Sequence, residues 1–258
     1  MIGAIIGDIV GSRFEFHNTQ DEHFDLFSPQ CGFTDDTICT VAIADAILRE
    51  EPYRTSMLRW CRKYPHPMGA YGLSFSHWLA SPDPRPYGSF GNGAAMRVSP
   101  VAWAFETEQE VIRQAIATAN ITHNHPDGIL GAMTVAQAIF RMRRHDGSRG
   151  PAFERALETV GTVYGTDWER RLIPRGRFDE TCQGCVPLAF HLVKESRSFE
   201  EAIREAVLYG GDSDTLGAIV GSLAEARFGI APSLIRTAMN YLPKEMRLVV
   251  QQFDTAYR

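Results

Sequence analysis

Two short acidic motifs in this 258-residue chain have the residue types of a divalent-cation site. Residues 34–37 read Thr-Asp-Asp-Thr, and residues 211–215 read Gly-Asp-Ser-Asp-Thr. Hard cations such as Mg²⁺ and Mn²⁺ prefer carboxylate and hydroxyl oxygens as ligands. Carboxylates that converge repel one another unless a cation neutralises them. The two motifs therefore predict the two halves of a two-metal site.

Each acidic motif directly precedes an apolar run with helical spacing, at residues 38–48 and 216–224. The carboxylates are therefore expected at the N-termini of two helices. One Asp or Ser is an ordinary helix cap, so either motif alone is open to a purely structural interpretation. Two such motifs at the starts of apolar helices favour the metal site.

The start of the chain predicts a third element of the same site. Gly3, Gly7 and Gly11 recur every four residues, which predicts a helix packed closely against another helix. Asp8 and Glu15 are seven residues apart, so they could share one helical face. A carboxylate on that face could act as a base or as an outer metal ligand.

Glycine-rich loops supply candidate ligand contacts. Residues 87–97 (Tyr-Gly-Ser-Phe-Gly-Asn-Gly-Ala-Ala-Met-Arg) resemble a nest of backbone amides at a helix start, which suits phosphate oxygens. Tyr87 and Phe90 offer flat faces for a base or a sugar. Residues 68–72 are a smaller version, and two simple glycine turns remain the alternative. His123 and His125 lack further ligands for zinc, so a hydrogen bond to a ligand or a capping turn is favoured.

Helical periodicity recurs along the chain, and two-residue alternation of strand type is nearly absent. The spacing predicts helices at residues 36–49, 55–63, 72–80, 94–104, 108–119, 128–145, 152–164, 182–194, 199–208, 215–228, 232–240 and 244–257. Small residues inside these helices permit close approach of helix to helix. We expect a compact all-α domain spanning residues 1–258.

Composition limits the classes of partner. The 26 Lys and Arg residues against 31 Asp and Glu give a net charge of −5, which offers no broad attraction for nucleic acid. No apolar run reaches the about 20 residues of a membrane span, and the start lacks the basic region of a signal peptide. We expect a cytoplasmic protein with no membrane partner. Five cysteines indicate reduced thiols, and the lone Cys182–Cys185 CxxC pair is a weak signal for zinc.

Taken together, the motifs resemble the ADP-ribosylglycohydrolase family, and they occur in the family's order. The resemblance extends from residue 3 to about residue 229 and rests on residues 7–15, 33–37, 88–97, 122–123 and 211–215. It implies an orthogonal all-α bundle with a binuclear Mg²⁺ or Mn²⁺ site. It also implies hydrolysis of the glycosidic bond between ADP-ribose and an acceptor.

The resemblance also assigns residues. The metal ligands it implies are Thr34, Asp35, Asp36, Asp212, Asp214 and Thr215. The proton-transfer candidates are Glu15 and, as an alternative, Asp36. The substrate contacts it implies are Gly69, Tyr71, Gly72, Gly88, Ser89, Phe90, Gly91, Asn92 and His123.

The acceptor remains open at this stage. The family resemblance slightly favours ADP-ribosyl-arginine over ADP-ribosyl-serine or a small ADP-ribose derivative, and we expect a monomer. Two alternatives belong to other classes: a crystallin-like protein that binds ADP-ribose without turnover, and a two-metal enzyme that cleaves the pyrophosphate to give AMP.

Overall fold

The computed structural model describes residues 1–144 and 149–257, and its regular structure is helical. In chain order the helices are α1 (Ile2–Gly11), α2 (Asp35–Leu48), α3 (Tyr53–Lys63), α4 (Leu73–Ala80), α5 (Gly93–Met96), α6 (Ser99–Ala104), α7 (Glu108–Ala119), α8 (Pro126–Arg143), α9 (Arg149–Tyr164), α10 (Cys182–Glu195), α11 (Phe199–Tyr209), α12 (Ser213–Phe228), α13 (Pro232–Met239) and α14 (Lys244–Tyr257). A 3₁₀ turn covers Trp168–Arg171. The β pairing among these residues consists of isolated bridges. The all-α prediction is confirmed.

Helices α1 and α12 form the centre of the fold. Every residue of α1 is buried, and α12 is buried through residue 226. Their backbones touch at the glycines: a Cβ placed on Gly7 would lie 1.8 Å from the carbonyl oxygen of Gly217, and one on Gly11 would lie 2.2 Å from that of Ser213. Only glycine permits this approach. It brings Asp8 beside the N-terminus of α12, where the second acidic motif lies.

One helix prediction is wrong in its continuity, and another extends beyond the described residues. The interval 94–104 is divided into α5 and α6, and Pro100 lies in the first turn of α6. Proline has no N–H, its ring would clash with the carbonyl four residues earlier, and it disfavours helical backbone in the residue before it, so a single helix is interrupted there. Helix α8 begins at Pro126, two residues earlier than predicted. The predicted end at His145 lies outside the described residues.

The five cysteines are free and buried. In the CxxC pair, Cys182 Sγ donates to the carbonyl oxygen of Gly91 at 3.1 Å, and Cys185 Sγ donates to that of Asp179 at 2.9 Å. Burial raises the pKa of Cys182 to about 12. Both are therefore structural thiols of the first turn of α10. No helix in the described ranges has the length and apolar content that a membrane crossing needs.

Candidate metal and ligand site

Asp8 fixes the start of α2 against α1. Its Oδ2 accepts hydrogen bonds from the backbone N–H groups of Thr34 at 3.0 Å and Thr37 at 3.1 Å, and its Oδ1 accepts from the Thr34 hydroxyl at 2.7 Å. Thr34 Oγ1 in turn accepts from the backbone N–H of Asp36 at 3.2 Å, as a helix cap. The first acidic motif is therefore held from both sides, and the Asp36 carboxylate is directed toward α12.

Three carboxylates from three segments meet at this point. One oxygen each from Asp8, Asp36 and Asp214 lies within 4.8 Å of the others, and all three residues are buried. The hydroxyl of Thr215 donates to Asp36 Oδ2 at 3.2 Å. Asp36 Oδ1 and Asp214 Oδ1 are buried without a hydrogen-bond partner. Buried carboxylate oxygens that no N–H or O–H group satisfies fit a bound divalent cation.

The electrostatics of the cluster indicate the same fit. Burial raises the pKa of Asp36, and the neighbouring charges of Asp214 and Asp8 raise it further. Burial likewise raises the pKa of Asp214, with added repulsion from Glu15 and Asp8. Each carboxyl is therefore costly to ionise without a compensating cation, and bound Mg²⁺ or Mn²⁺ would remove that cost.

Asp35 and Asp212 lie on the cleft side of the cluster, where both line the cavity. Asp212 Oδ2 accepts a 2.6 Å hydrogen bond from the side-chain amide of Asn92. Burial raises the pKa of both carboxyls. Asn92 thus connects the glycine loop to the acidic motif, in addition to lining the cleft as a predicted substrate contact.

Glu15 lies at the site, but on a different element from the one that the sequence predicted. Helix α1 ends at Gly11, so Glu15 lies in the turn that follows and does not share a helical face with Asp8. Its Oε2 is buried without a hydrogen-bond partner. Burial, followed by the charges of Asp212 and Asp8, raises the pKa of Glu15 to about 7. A carboxyl of this kind can hold or release a proton near neutral pH.

Gly69 makes room for Glu15. A Cβ on Gly69 would lie 2.6 Å from Glu15 Oε2, and its φ of +79° also favours glycine. Tyr71 faces away from the cleft, because its hydroxyl donates to the backbone oxygens of Tyr64 at 2.8 Å and Cys61 at 3.3 Å. Of the predicted contacts in this loop, only Gly72 lines the cleft.

The cleft above the carboxylates has a volume of about 700 Å³, which suits a ligand of nucleotide size. The predicted residues that line it are Glu15, Asp35, Gly72, Gly88, Ser89, Phe90, Gly91, Asn92, His123, Asp212, Asp214 and Thr215. Thr34 and Asp36 lie beneath this surface and are buried. One cleft therefore collects most of the residues that the motifs singled out.

The glycine loop differs from the predicted amide nest. The N–H of Gly88 donates to Asn124 Oδ1 at 2.7 Å, that of Gly91 to Ser89 Oγ at 3.1 Å, and that of Asn92 to the carbonyl of Glu180 at 2.7 Å. Three of the loop's amides are thus already used, and α5 has only four residues. Fewer of this loop's amides are therefore free to contact a ligand than the sequence predicts, and the ring of Phe90 is exposed.

Asn18 is a site residue that the motifs did not indicate. Its side-chain Oδ1 accepts from the backbone N–H of Gly211 at 2.8 Å, and its Nδ2 donates to the backbone oxygens of Gly211 at 3.1 Å and Phe14 at 2.7 Å. Gly210 and Gly211 both have positive φ, a conformation that glycine adopts without steric cost. The side-chain amide of Asn18 therefore holds the Gly210–Gly211 turn, which leads directly into Asp212, and we call this contact the Asn18 clamp. Its partner is 193 residues away in sequence, so no local pattern could have indicated it.

Asn18→Ala is expected to weaken divalent-cation affinity about 10- to 100-fold, as loss of an outer support commonly does. The Gly211 turn would lose both of its bonds to the side chain. Calorimetric titration of the metal-free protein with Mn²⁺ measures the effect. Gln20→Ala, which removes an exposed amide two residues away, is the control. Equal Mn²⁺ affinity in the Asn18 and Gln20 variants would contradict the clamp.

Comparison with known proteins gives one consistent answer. The family model described as ADP-ribosylglycohydrolase matches residues 1–252. ADP-ribosyl-[dinitrogen reductase] glycohydrolase of Rhodospirillum rubrum is 23% identical over 252 residues, covering 89% of this chain and 84% of that protein. ADP-ribosylhydrolase ARH3 of Homo sapiens is 29% identical over 172 residues, or 54% of this chain, and the match spans 47% of the human protein.

Two further matches extend over most of the chain. ADP-ribosylarginine hydrolase Tri1 of Pseudomonas putida is 21% identical over 262 residues, covering 90% of this chain and 70% of that protein. A solved structure described as an ADP-ribosylglycohydrolase-related protein complex has a TM-score of 0.74 and covers 100% of this chain and 97% of its own, at 22% identity. At that identity the structural likeness shows the fold alone.

Proposed function

The chain belongs to the ADP-ribosylglycohydrolase family, and we propose that it hydrolyses the glycosidic bond joining ADP-ribose to an acceptor, with release of intact ADP-ribose. One observation carries the proposal. Buried, unpartnered carboxylate oxygens of Asp36, Asp214 and Glu15 lie in and directly beneath a cleft of nucleotide size. Without a cation these carboxyls are relieved only by sharing protons, as between Glu15 and Asp214, and ionising them all would be energetically costly.

Thr34, Asp35, Asp36, Asp212, Asp214 and Thr215 would hold two Mg²⁺ or Mn²⁺ ions. When bound, such ions neutralise the carboxylates and supply Lewis acidity toward ribose hydroxyls and water. Asp8 holds these ligands in place and is not itself counted among them, because its oxygens already accept hydrogen bonds from Thr34 and Thr37.

Glu15 is the proposed proton acceptor. The water oxygen bonds to the anomeric carbon while the bond from that carbon to the acceptor atom breaks. The electron pair of the broken bond stays on the acceptor atom, which receives the proton that Glu15 has taken from the water. The carboxylate of Glu15, which lines the cleft, accepts the proton of the attacking water. Its free oxygen and its pKa of about 7 suit that role. Asp36 is the less suitable alternative, because it lies beneath the cleft surface and accepts a hydrogen bond from Thr215.

For the acceptor we propose an arginine side chain. Carboxylates line the cleft at Glu15, Asp179 and Glu180, and together they complement a guanidinium group. The exposed ring of Phe178 on the same wall offers a planar surface on which a guanidinium can stack. The relative named ADP-ribosylarginine hydrolase Tri1 supports the same linkage.

Incubation with ADP-ribosyl-arginine and ADP-ribosyl-serine peptides tests both the hydrolysis and the proposed arginine linkage. We expect intact ADP-ribose from the arginine peptide, with a rate at least about 100-fold lower in EDTA, because metal ions supply several kcal/mol of stabilisation. Chromatography of the products with mass detection is the measurement. Release of ADP-ribose from the serine peptide alone would contradict the linkage. AMP as product would indicate a pyrophosphate hydrolase, and binding without turnover would indicate a binding protein.

A further inference from the structure

A buried arginine, Arg97, contacts Thr122, the residue before His123. Arg97 is 1% exposed and is the largest of the fully buried side chains. Its Nη2 donates to the backbone oxygen of Thr118 at 3.1 Å and to the hydroxyl oxygen of Thr122 at 2.7 Å. Thr122 is fully buried as well. A guanidinium has only donors, so the Thr122 hydroxyl can only accept from it.

The hydroxyl of Thr122 then has its own hydrogen to donate. Its Oγ1 lies 2.7 Å from Nδ1 of His123. Because Arg97 offers no lone pair, His123 Nδ1 is the acceptor within reach of that hydrogen. An imidazole that accepts at Nδ1 carries its proton on Nε2.

His123 directs Nε2 toward the cleft. A Cβ on Gly93 would lie 3.0 Å from this nitrogen, and one on Gly91 would lie 3.5 Å from it, so both glycines leave the nitrogen uncovered. His123 also lines the cavity. Burial, followed by the charge of Arg97, holds the pKa of His123 well below its usual range, and the ring therefore stays neutral.

We propose that Arg97 and Thr122 are positioning residues that hold His123 as the Nε2–H tautomer, so that this nitrogen donates a hydrogen bond to an oxygen of the bound ADP-ribose. The tautomer depends only on the residues described here, whereas the recognition of ADP-ribose rests on the proposed function. His123 acts as a fixed donor and does not shuttle protons. Arg97 acts through Thr122 and touches no ligand atom in this role.

Long-range ¹H–¹⁵N correlation spectra of the ¹⁵N-histidine-labelled, full-length protein read the tautomer directly. The His123 signals are identified by their loss in His123→Gln. We expect a protonated Nε2 and an unprotonated, acceptor-type Nδ1 in the wild type. Thr122→Ser keeps the hydroxyl and should keep this pattern, whereas Thr122→Val removes it and should shift protonation toward Nδ1. A wild-type spectrum with protonated Nδ1 would overturn the proposal, even if the Thr122→Val variant does not fold.

Calorimetric titration with ADP-ribose tests the consequence. Thr122→Val should weaken binding about 5- to 10-fold, the equivalent of one hydrogen bond, with KM raised and kcat little changed, and Thr122→Ser should restore both. A merely structural role would not produce the tautomer shift. If Thr122→Val binds ADP-ribose as tightly as the wild type, the positioning role is overturned. The proposed function would still stand in that case, because hydrolysis persists. If the wild type does not bind ADP-ribose, both the proposed hydrogen bond from His123 to the ligand and the proposed function fail. The NMR spectrum still decides which tautomer His123 adopts.

Discussion

Asp36→Asn is expected to abolish hydrolysis and, in metal-free buffer, to stabilise the fold. The amide keeps an oxygen where Asp36 Oδ2 accepts from Thr215. It also places an N–H₂ group where Oδ1 now has no partner, beside carboxylate oxygens of Asp8 and Asp214 that can accept from it. Because an unsatisfied buried polar group costs about 1–3 kcal/mol, the free energy of unfolding should rise by that order. Loss of a metal-binding charge should reduce the hydrolysis rate at least about 100-fold.

The pH dependence of this gain has a definite sign. Burial and the charges of Asp214 and Asp8 raise the pKa of Asp36 in the folded protein. A carboxyl of this kind stabilises the fold while it is protonated, and that contribution is lost as the pH rises through its folded-state pKa. The metal-free wild type should therefore lose stability as the pH rises above the ordinary range of an aspartate pKa. The advantage of Asp36→Asn should be larger at the alkaline end.

Asp45→Asn, on the same helix, is the matched control with the opposite sign. Burial alone would raise the pKa of Asp45, but hydrogen bonds from Arg49, Trp60 and Arg59 outweigh it and lower the pKa. These bonds measure 2.8, 2.8 and 2.6 Å. The amide cannot accept all of them, so this variant should lose about 1–3 kcal/mol and retain hydrolysis.

Thermal unfolding in EDTA and with added Mn²⁺ measures both variants. Mn²⁺ should raise the melting temperature of the wild type and of Asp45→Asn but not that of Asp36→Asn, since only a protein that binds the ion gains from it. A metal-free Asp36→Asn protein that melts below the wild type would show that the cluster is already satisfied without a cation.

Local signals were sufficient for the helices and for the two acidic motifs. A Thr or Gly followed by carboxylates and an apolar run identifies a helix start, and the structure begins α2 at Asp35 and α12 at Ser213. The four-residue glycine period likewise predicted a close helix contact. These features depend on neighbours in sequence, so the chain alone reveals them. The interruption at Pro100 was readable by the same rules and was missed.

The connections between distant segments could not be predicted in that way. The clamp of Asn18 on Gly211 joins residues 193 positions apart. The contact between Gly69 and Glu15 depends on a loop lying over the turn after α1. The hydrogen bonds between Asp8 and the start of α2 could not be predicted either, because two of the three come from backbone amides, which every sequence offers. Tertiary geometry decides such contacts, and residue types do not.

Gly7→Ala should produce the largest loss of stability of any single methyl group added to this chain's central helix pair. The new Cβ would lie 1.8 Å from the carbonyl oxygen of Gly217 and 2.3 Å from its carbon, and both are backbone atoms that no rotamer change can move. Overpacking commonly costs about 1–3 kcal/mol. A backbone-to-backbone clash should exceed the upper part of that range, a large share of a typical domain's stability.

Denaturant unfolding of Gly7→Ala beside Gly161→Ala measures the effect. Gly161 lies in α9, and apart from its two chain neighbours and the backbone of its own helix, no atom lies within 4 Å of the position that an added methyl group would take. There the same substitution should gain up to about 1 kcal/mol from helix propensity. If Gly7→Ala remains within about 1 kcal/mol of the wild type, the close contact of α1 and α12 is contradicted.

Where the variant still folds, α1 must move away from α12, and Asp8 moves with it from Asp214. Mn²⁺ affinity should therefore fall together with stability in Gly7→Ala, because one glycine contact sets both the helix packing and the spacing of the carboxylates.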